Sequence, residues 1–110
     1  MVINSRELAA LEETAAAIRS ETGATVILVP GDVGDPTIQK SLVEAVPQVD
    51  ILVNNNGGPP LRDFRQIDRT AMQDGLAANM VTPIELVQRV IDDMVARRFG
   101  RIVKIGRAHV

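Results

Sequence analysis

Three consecutive amides followed by glycine are the residues of this chain best suited to binding a ligand. Asn54, Asn55 and Asn56 come directly after the apolar run 51–53, and Gly57 follows them. Amide side chains both donate and accept hydrogen bonds, and glycine lets backbone approach a ligand closely. At the carboxyl end of a buried strand such groups converge on one crevice. The segment therefore predicts a nucleotide site.

A second chemically distinctive residue, Asn79, lies in an otherwise apolar helical pattern. Asp68 can cap this long helix and Gly100 can end it. Pro83 has no N–H to bond the carbonyl of Asn79 four residues back, so that carbonyl can hold a water. The alternative is a simple proline kink in which Asn79 is satisfied internally. The predicted apolar face of the helix comprises Met72, Leu76, Met80, Val87, Val90 or Ile91, and Met94.

Helical spacing also marks the start of the chain. Asn4 or Ser5 can cap a helix, and Glu7 completes a plausible capping box. Gly23 is a suitable stop for this helix. Its apolar positions are Leu8, Leu11, Ala15 and Ile18.

Short apolar runs between the helices predict strands. Residues 25–29 and 51–53 are apolar without alternation, a pattern typical of strands covered on both faces, and residues 101–103 begin another. Asp35, followed by proline, predicts the start of a second, short helix. The alternation of helices and strands indicates an α/β protein with a doubly wound parallel sheet, whose ligands gather at the carboxyl ends of the strands.

Composition narrows the class of protein. The chain has 110 residues, is 45% apolar and 24% charged, and carries a formal net charge of -2, which fits a globular domain and indicates no nucleic-acid partner. It contains no cysteine, and no apolar run approaches the ~20 residues that span a bilayer. We therefore expect no membrane association and a cytoplasmic location. The single histidine, His109, has no nearby partner, so no metal site is expected.

The ordered motifs resemble those of the short-chain dehydrogenases/reductases, especially the 3-oxoacyl-acyl-carrier-protein reductase-like members. The motifs are Asp32-Val33, Asn54-Asn55-Asn56-Gly57, Asn79, and Gly100 with the strand residues 101–103. They extend over nearly the whole chain, from Val2 to about Val103. Each motif is weak by itself, and their order and spacing carry the resemblance.

The resemblance implies a role for each of these motifs. Asp32 would accept a hydrogen bond from the adenine amino group while Val33 packs on the base; an Asx-turn is the alternative for Asp32 by itself. Asn54, Asn55 and Gly57 would shape the turn beneath the nicotinamide ribose, with the amides tying neighbouring strands together. Asn56 stands where the family usually has alanine, so a larger amide either is tolerated or crowds the ribose.

The resemblance also bears on cofactor choice and proton transfer. Family members that prefer NAD tend to carry an acid after the first strand of the pair, whereas here Ser5 and Arg6 occupy these positions. A hydroxyl and a guanidinium suit a 2′-phosphate, which favours NADP, with NAD as the alternative. The alternative is that these residues do not bind a cofactor: Ser5 caps a helix and Arg6 is solvated. The main-chain carbonyl of Asn79 would order a water in the family's proton relay.

Parts of the family pattern are missing. The glycine-rich pyrophosphate turn and its strand would precede Val2, the Tyr-x-x-x-Lys pair would follow residue 110, and Arg107 stands at the catalytic serine position. Residues 1–104 are therefore expected to be an incomplete NAD(P)-binding Rossmann-like domain, lacking the first strand and the C-terminal part. Residues 105–110 match the translation of a common sequencing adapter, and the preceding bases of that adapter would complete the codon of Lys104. We therefore expect residues 105–110 to be a non-native tail.

The implied function is that of a fragment of an oxidoreductase that transfers hydride between a nicotinamide and a carbonyl or alcohol substrate. The parent protein is expected to be a homo-oligomer, either a tetramer or a dimer. Because removal of the first strand separates two strand pairs, the isolated chain is expected to fold poorly and to lack activity. The alternative is a non-catalytic nucleotide-binding or regulatory α/β module.

Overall fold

The computed structural model of the chain describes residues 1–56 and 62–106. It divides into two compact units, residues 1–48 and residues 49–110, which we call the first and the second unit. Each unit contains a two-stranded parallel sheet. The predicted ligand residue Gly57, and also Arg107 and His109, lie outside the described residues.

The first unit alternates strands and helices, as predicted. Strand β1 pairs in parallel with β2, with Val2 opposite Ile27 and Ser5 opposite Pro30. Helix α1 packs on both strands, and its buried residues Leu11 and Ala15 form the core together with Val26. The elements are β1 (Val2–Ser5), α1 (Leu8–Thr22), β2 (Ile27–Pro30) and α2 (Pro36–Glu44).

The ends of α1 show one wrong and one confirmed prediction. The helix begins at Leu8, its N-cap is Glu7, and no side chain caps it, so the predicted capping box is wrong. The reason is that Ser5 is drawn into β1, where it pairs with Pro30. Gly23 does end the helix: with φ 70° it adopts the left-handed conformation and donates its N–H to the carbonyl of Arg19.

Strand β2 is less covered than its sequence predicted. It begins at Ile27, two residues later than expected, and Ile27 is 37% exposed. In this unit the helices cover the two-stranded sheet incompletely, so part of each strand is exposed to solvent. The prediction that β2 is covered on both faces is therefore wrong. The predicted N-cap of α2 is confirmed, because the Asp35 carboxylate accepts a 2.8 Å hydrogen bond from the N–H of Thr37.

The second unit begins with β3, which pairs in parallel with β4. Ile51 lies opposite Arg101 and Asn54 opposite Lys104. Its elements are β3 (Ile51–Asn54), a 3₁₀ turn (Phe64–Gln66), α3 (Arg69–Leu76), a π-helical turn (Ala77–Val81), α4 (Thr82–Arg97) and β4 (Arg101–Lys104). The predicted burial of β3 is wrong in detail: Ile51 and Val53 are exposed, and Asn54 is the buried residue of the strand.

The predicted long helix is divided by the π-helical turn. Asp68 caps its start as predicted, accepting a hydrogen bond of 2.8 Å from the N–H of Ala71. The π turn inserts one residue into the helical repeat, so the half-buried residues of α3, Ala71 and Gly75, lie one position earlier than the sequence pattern placed them. The exposed residues of the predicted face include Met72, Leu76 and Met80. The buried stripe of α4 contains Leu86, Val90 and Met94.

The end of α4 is set by Arg98 and not by Gly100. Arg98 adopts φ 55°, and its N–H bonds the carbonyl of Val95, so the predicted stop is two residues too late. Gly100 instead packs against Met94, because a Cβ at Gly100 would lie 2.7 Å from Met94 Cγ. Within the described residues, no helix is both long and apolar enough to cross a membrane.

Candidate functional site

The carboxyl ends of β1 and β2 are joined by Asn4. Its Nδ2 donates to the carbonyl of Val29 at 2.8 Å and to that of Gly31 at 3.0 Å. Gly31 has φ 133°, and its N–H bonds the carbonyl of Ser5. A side chain at Gly31 would be strained by this φ and would also meet Ile38 of α2. The first unit therefore presents a fixed turn beyond its strand ends.

The predicted adenine residues lie on this turn. One carboxylate oxygen of Asp32 accepts a hydrogen bond of 2.8 Å from the N–H of Gly34, so the Asx-turn is formed. The Asp32 side chain is exposed and Val33 is half-buried. Ser5 is half-buried and Arg6 is exposed at the end of the neighbouring strand. The structure thus brings these four predicted residues to one end of the first unit.

Gln39 supports this turn and was missed by the sequence analysis. Its side chain is fully buried, and its Nε2 donates to the carbonyl of Val33 at 3.0 Å. The periodicity offered a signal, because Gln39 shares one helical face with Leu42 and Val43. A polar residue on an apolar face of α2 could have been read as a support for the preceding loop.

The second unit contains a groove of about 350 Å³ between α4 and the strand ends. Asn54 at the end of β3 and Asn79 in the π turn both line it. Its remaining walls are mostly apolar side chains of α4 and β4. These lining residues include Pro83, Ile84, Val87 and Ile102.

Asn54 is the polar group of this groove with an unmet hydrogen-bonding requirement. Its side chain is 3% exposed, and among the described residues its Oδ1 has no hydrogen-bond partner. A buried unpaired amide oxygen is unfavourable, so such a group in a groove is suited to a ligand that can donate. The adjacent Asn55 is exposed.

Asn56 makes a hydrogen bond to the π turn that contains Asn79. Asn56 Nδ2 donates to the carbonyl of Ala78 at 2.6 Å. The Asn79 side chain bonds within its own helix, its Nδ2 donating to the carbonyl of Gly75 at 3.0 Å. The side chain of Asn79 is thus satisfied internally, and its main-chain carbonyl is the group that Pro83 deprives of an α-helical partner.

The shifted pKa values belong to ion pairs outside the groove. Hydrogen bonds from Arg65 lower the pKa of Asp63 below its usual value. The carboxylates of Asp93 and Asp50 raise the pKa of Arg97, whose guanidinium joins the end of α4 to the entrance of β3. Over the ranges 1–56 and 62–106, no cluster of histidine, cysteine and carboxylate side chains suits a metal ion.

Comparison with known proteins identifies the class of this fold. The family model of the short chain dehydrogenases matches residues 1–108. The chain belongs to this family.

Particular relatives agree with that assignment. The chain is 32% identical over 73 residues to 2,3-dihydroxy-2,3-dihydro-p-cumate dehydrogenase of Pseudomonas putida, covering 66% of this chain and 28% of that protein. It is 31% identical over 107 residues to human retinol dehydrogenase 8, covering 96% of this chain and 34% of the relative. The structure of L-sorbose reductase from Gluconobacter frateurii, complexed with NADPH and L-sorbose, superposes with a TM-score of 0.83 at 26% identity, covering 94% of this chain and 41% of that one.

These relatives confirm the predicted family and its α/β Rossmann-like fold. They are dehydrogenases and reductases of several kinds, so the 3-oxoacyl-acyl-carrier-protein reductase subtype is not singled out. The chain spans about a third of the length of the curated relatives it matches.

Proposed function

We propose that this chain is part of an NAD(P)-dependent oxidoreductase and that each unit contributes residues that bind the cofactor. The observation that carries the proposal is the buried Oδ1 of Asn54, which has no hydrogen-bond partner within residues 1–56 and 62–106 and which lines the groove of the second unit together with Asn79. The family assignment supplies the reaction class: the cofactor, when bound, exchanges hydride with a carbonyl or alcohol carbon of a small substrate.

The second unit is proposed to hold the nicotinamide ribose. Asn54 would accept a hydrogen bond from the cofactor, and Asn55 and Gly57 would shape the loop beneath it. The apolar side chains around the groove would exclude water from that end of the site, which strengthens the polar contacts made there. The carbonyl of Asn79 would hold a water for proton transfer.

The first unit is proposed to hold the adenosine end. Because Asp32 uses one oxygen in its Asx-turn and its side chain is exposed, a second lone pair is available to the adenine amino group. Val33 would pack on the base, positioned through its carbonyl by Gln39. Arg6, exposed at the strand end, would pair with a 2′-phosphate, with Ser5 as a second donor.

NADP is the proposed cofactor. Two observations support it over NAD: Arg6 and Ser5 stand at the end of β1 where an acid would favour the ribose hydroxyl, and the similar L-sorbose reductase is complexed with NADPH. A 3-oxoacyl-acyl-carrier-protein reductase-like subtype and a dimeric or tetrameric parent in the cytoplasm remain part of the proposal. So does the assignment of residues 1–104 as an incomplete domain and 105–110 as a non-native tail.

Cofactor titration of the full-length protein that carries this segment tests the function. We expect NADPH to bind more tightly than NADH, and Arg6→Ala to weaken NADPH about tenfold, since a hydrogen bond to a charged group is lost, with less than a twofold effect on NADH. Lys40→Ala, an exposed cation of the same unit, is the matched control. If Arg6→Ala weakens both cofactors equally, Arg6 does not bind the 2′-phosphate. If the wild-type protein binds neither cofactor, the proposed function is wrong.

The expected inactivity of the isolated 110-residue chain has its own test. Within the described part of the chain, β1 and β2 form one sheet and β3 and β4 another, and a sheet of two strands is marginal for independent stability. We expect no cooperative thermal unfolding and no NADPH binding from the purified chain. Cooperative unfolding together with micromolar binding would contradict this.

A further inference from the structure

The π-helical turn leaves the carbonyl of Ala78 without a helical donor. The N–H of Thr82 donates to the carbonyl of Ala77, five residues back. The donor that would serve Ala78 in an α-helix is therefore already engaged. The donor that would serve it in a π-helix belongs to Pro83, which has no N–H. The Ala78 carbonyl thus lacks a partner from either helical pattern.

Asn56 supplies the missing donor. Its Nδ2 lies 2.6 Å from the Ala78 oxygen, across 22 residues of sequence, and this contact is partly buried. Asn56 stands in the loop directly after β3, two residues beyond the buried Asn54. One side-chain amide therefore joins the loop beside the groove to the turn that interrupts the long helix.

Anchoring the Ala78 carbonyl fixes more than one atom. This carbonyl and the N–H of Asn79 belong to the same planar peptide group, so the hydrogen bond restrains the orientation at which the chain enters Asn79. The carbonyl of Asn79 is one residue further along, and Asn79 lines the groove.

We infer that Asn56 is a positioning residue, which holds the Ala78–Asn79 peptide in the π turn and thereby orients the Asn79 carbonyl that holds the water for proton transfer. This inference rests on the proposed function, because proton transfer at Asn79 is part of that proposal. Asn56 acts through Ala78 and needs no contact with substrate or cofactor. The amide that replaces the family's usual alanine thus has a specific partner.

Two substitutions of Asn56 distinguish the loss of its hydrogen-bond donor from the loss of its side-chain volume. Both are assayed in the full-length protein with NADPH and a carbonyl substrate. Asn56→Asp keeps the volume and loses the donor, so its carboxylate faces the Ala78 oxygen with acceptors only. Asn56→Ala removes both. We expect each variant to lower kcat about three- to tenfold, the effect of one hydrogen bond, with KM for NADPH changed less than twofold. Gln73→Ala, an exposed change in α3, is the control and should alter neither constant.

An Asn56→Asp variant with wild-type kcat would overturn the inference. A fall in cofactor affinity with unchanged kcat would also overturn it, because Asn56 would then act on binding.

The hydrogen bond itself has a readout independent of activity. A scalar coupling between the Asn56 side-chain nitrogen and the Ala78 carbonyl carbon, measured by NMR in the full-length protein, is expected in the wild type and absent from Asn56→Asp. If the coupling is present but the wild type neither binds nor oxidises NADPH, the proposed function fails while the anchor stands. If the wild type is active and the coupling is absent, the anchor fails by itself.

Discussion

Replacing Asn54 by leucine is predicted to raise stability and lower cofactor affinity. The Asn54 side chain is 3% exposed, and its Oδ1 has no partner among the described residues. An unsatisfied buried polar group costs about 1–3 kcal/mol, and leucine fills a similar volume without a polar atom. Taking the lower end, because leucine and asparagine differ in shape, we expect about 1 kcal/mol of added stability in the cofactor-free protein. For a domain of about 150–250 residues this raises Tm by about 2–4 °C.

The cofactor should reverse this advantage. Loss of one hydrogen bond from the ligand weakens NADPH binding by up to about tenfold. At a concentration 100 times the wild-type Kd, NADPH stabilises the wild type by about 2.7 kcal/mol and the leucine variant by about 1.4 kcal/mol. The difference of about 1.3 kcal/mol slightly exceeds the initial gain of about 1 kcal/mol. The variant is therefore expected to be the more stable protein without NADPH and no more stable with it.

Urea unfolding of the full-length protein, with and without NADPH, measures both quantities in one experiment. Val53→Leu is the control, since Val53 lies in the same strand with an exposed side chain, and its effect should stay within about 0.5 kcal/mol in both conditions. If Asn54→Leu lowers stability and affinity together, the oxygen is paired inside the full-length protein and the reasoning is refuted.

Three further changes test the scaffold around the site, each by urea unfolding of the full-length protein. Gly100→Ala would place a Cβ against Met94 and should destabilise by about 1–3 kcal/mol, with a smaller effect when Met94 is already alanine; additive effects would contradict the contact. Gly31→Ala, which meets a strained φ of 133° and the side chain of Ile38, should destabilise and also weaken NADPH binding; an unchanged Kd would separate this turn from the site. Arg97→Met should lower stability more at low salt than at high salt, and a salt-independent effect would exclude its ion pairs as the cause.

Sequence patterns predicted the elements better than their faces. The order of strands and helices, the caps at Asp35 and Asp68, and the stop at Gly23 follow from local chemistry, and the structure confirms them. The exposed side chains of β3 could not be read from an apolar run, because burial depends on which elements pack on a strand. The apolar face before Pro83 was placed wrongly for another reason: a helical repeat was assumed to continue through a turn that widens it.

The candidate site was predictable where polar residues stand at the end of an apolar strand pattern. The three amides at the end of β3 and Asp32 just after β2 are polar groups at strand ends, and the structure places each of them beside its unit's strand ends. The partners of these residues were not predictable. The hydrogen bonds from Asn56 to Ala78 and from Gln39 to Val33 join parts of the chain whose proximity depends on the folded backbone.

The π-helical turn at Ala77–Val81 also determines how this segment tolerates changes in length. A π turn accommodates one extra residue, so α3 and α4 keep the faces that they would have in a regular α-helix one residue shorter. Deleting one residue from this turn would therefore leave Ala71 and Gly75 on their half-buried side. A substitution that straightened the turn at unchanged length would instead rotate α3 by about 100° about its axis and bring the exposed Met72 and Leu76 toward that side. Gene libraries that vary this turn should therefore include its one-codon deletion.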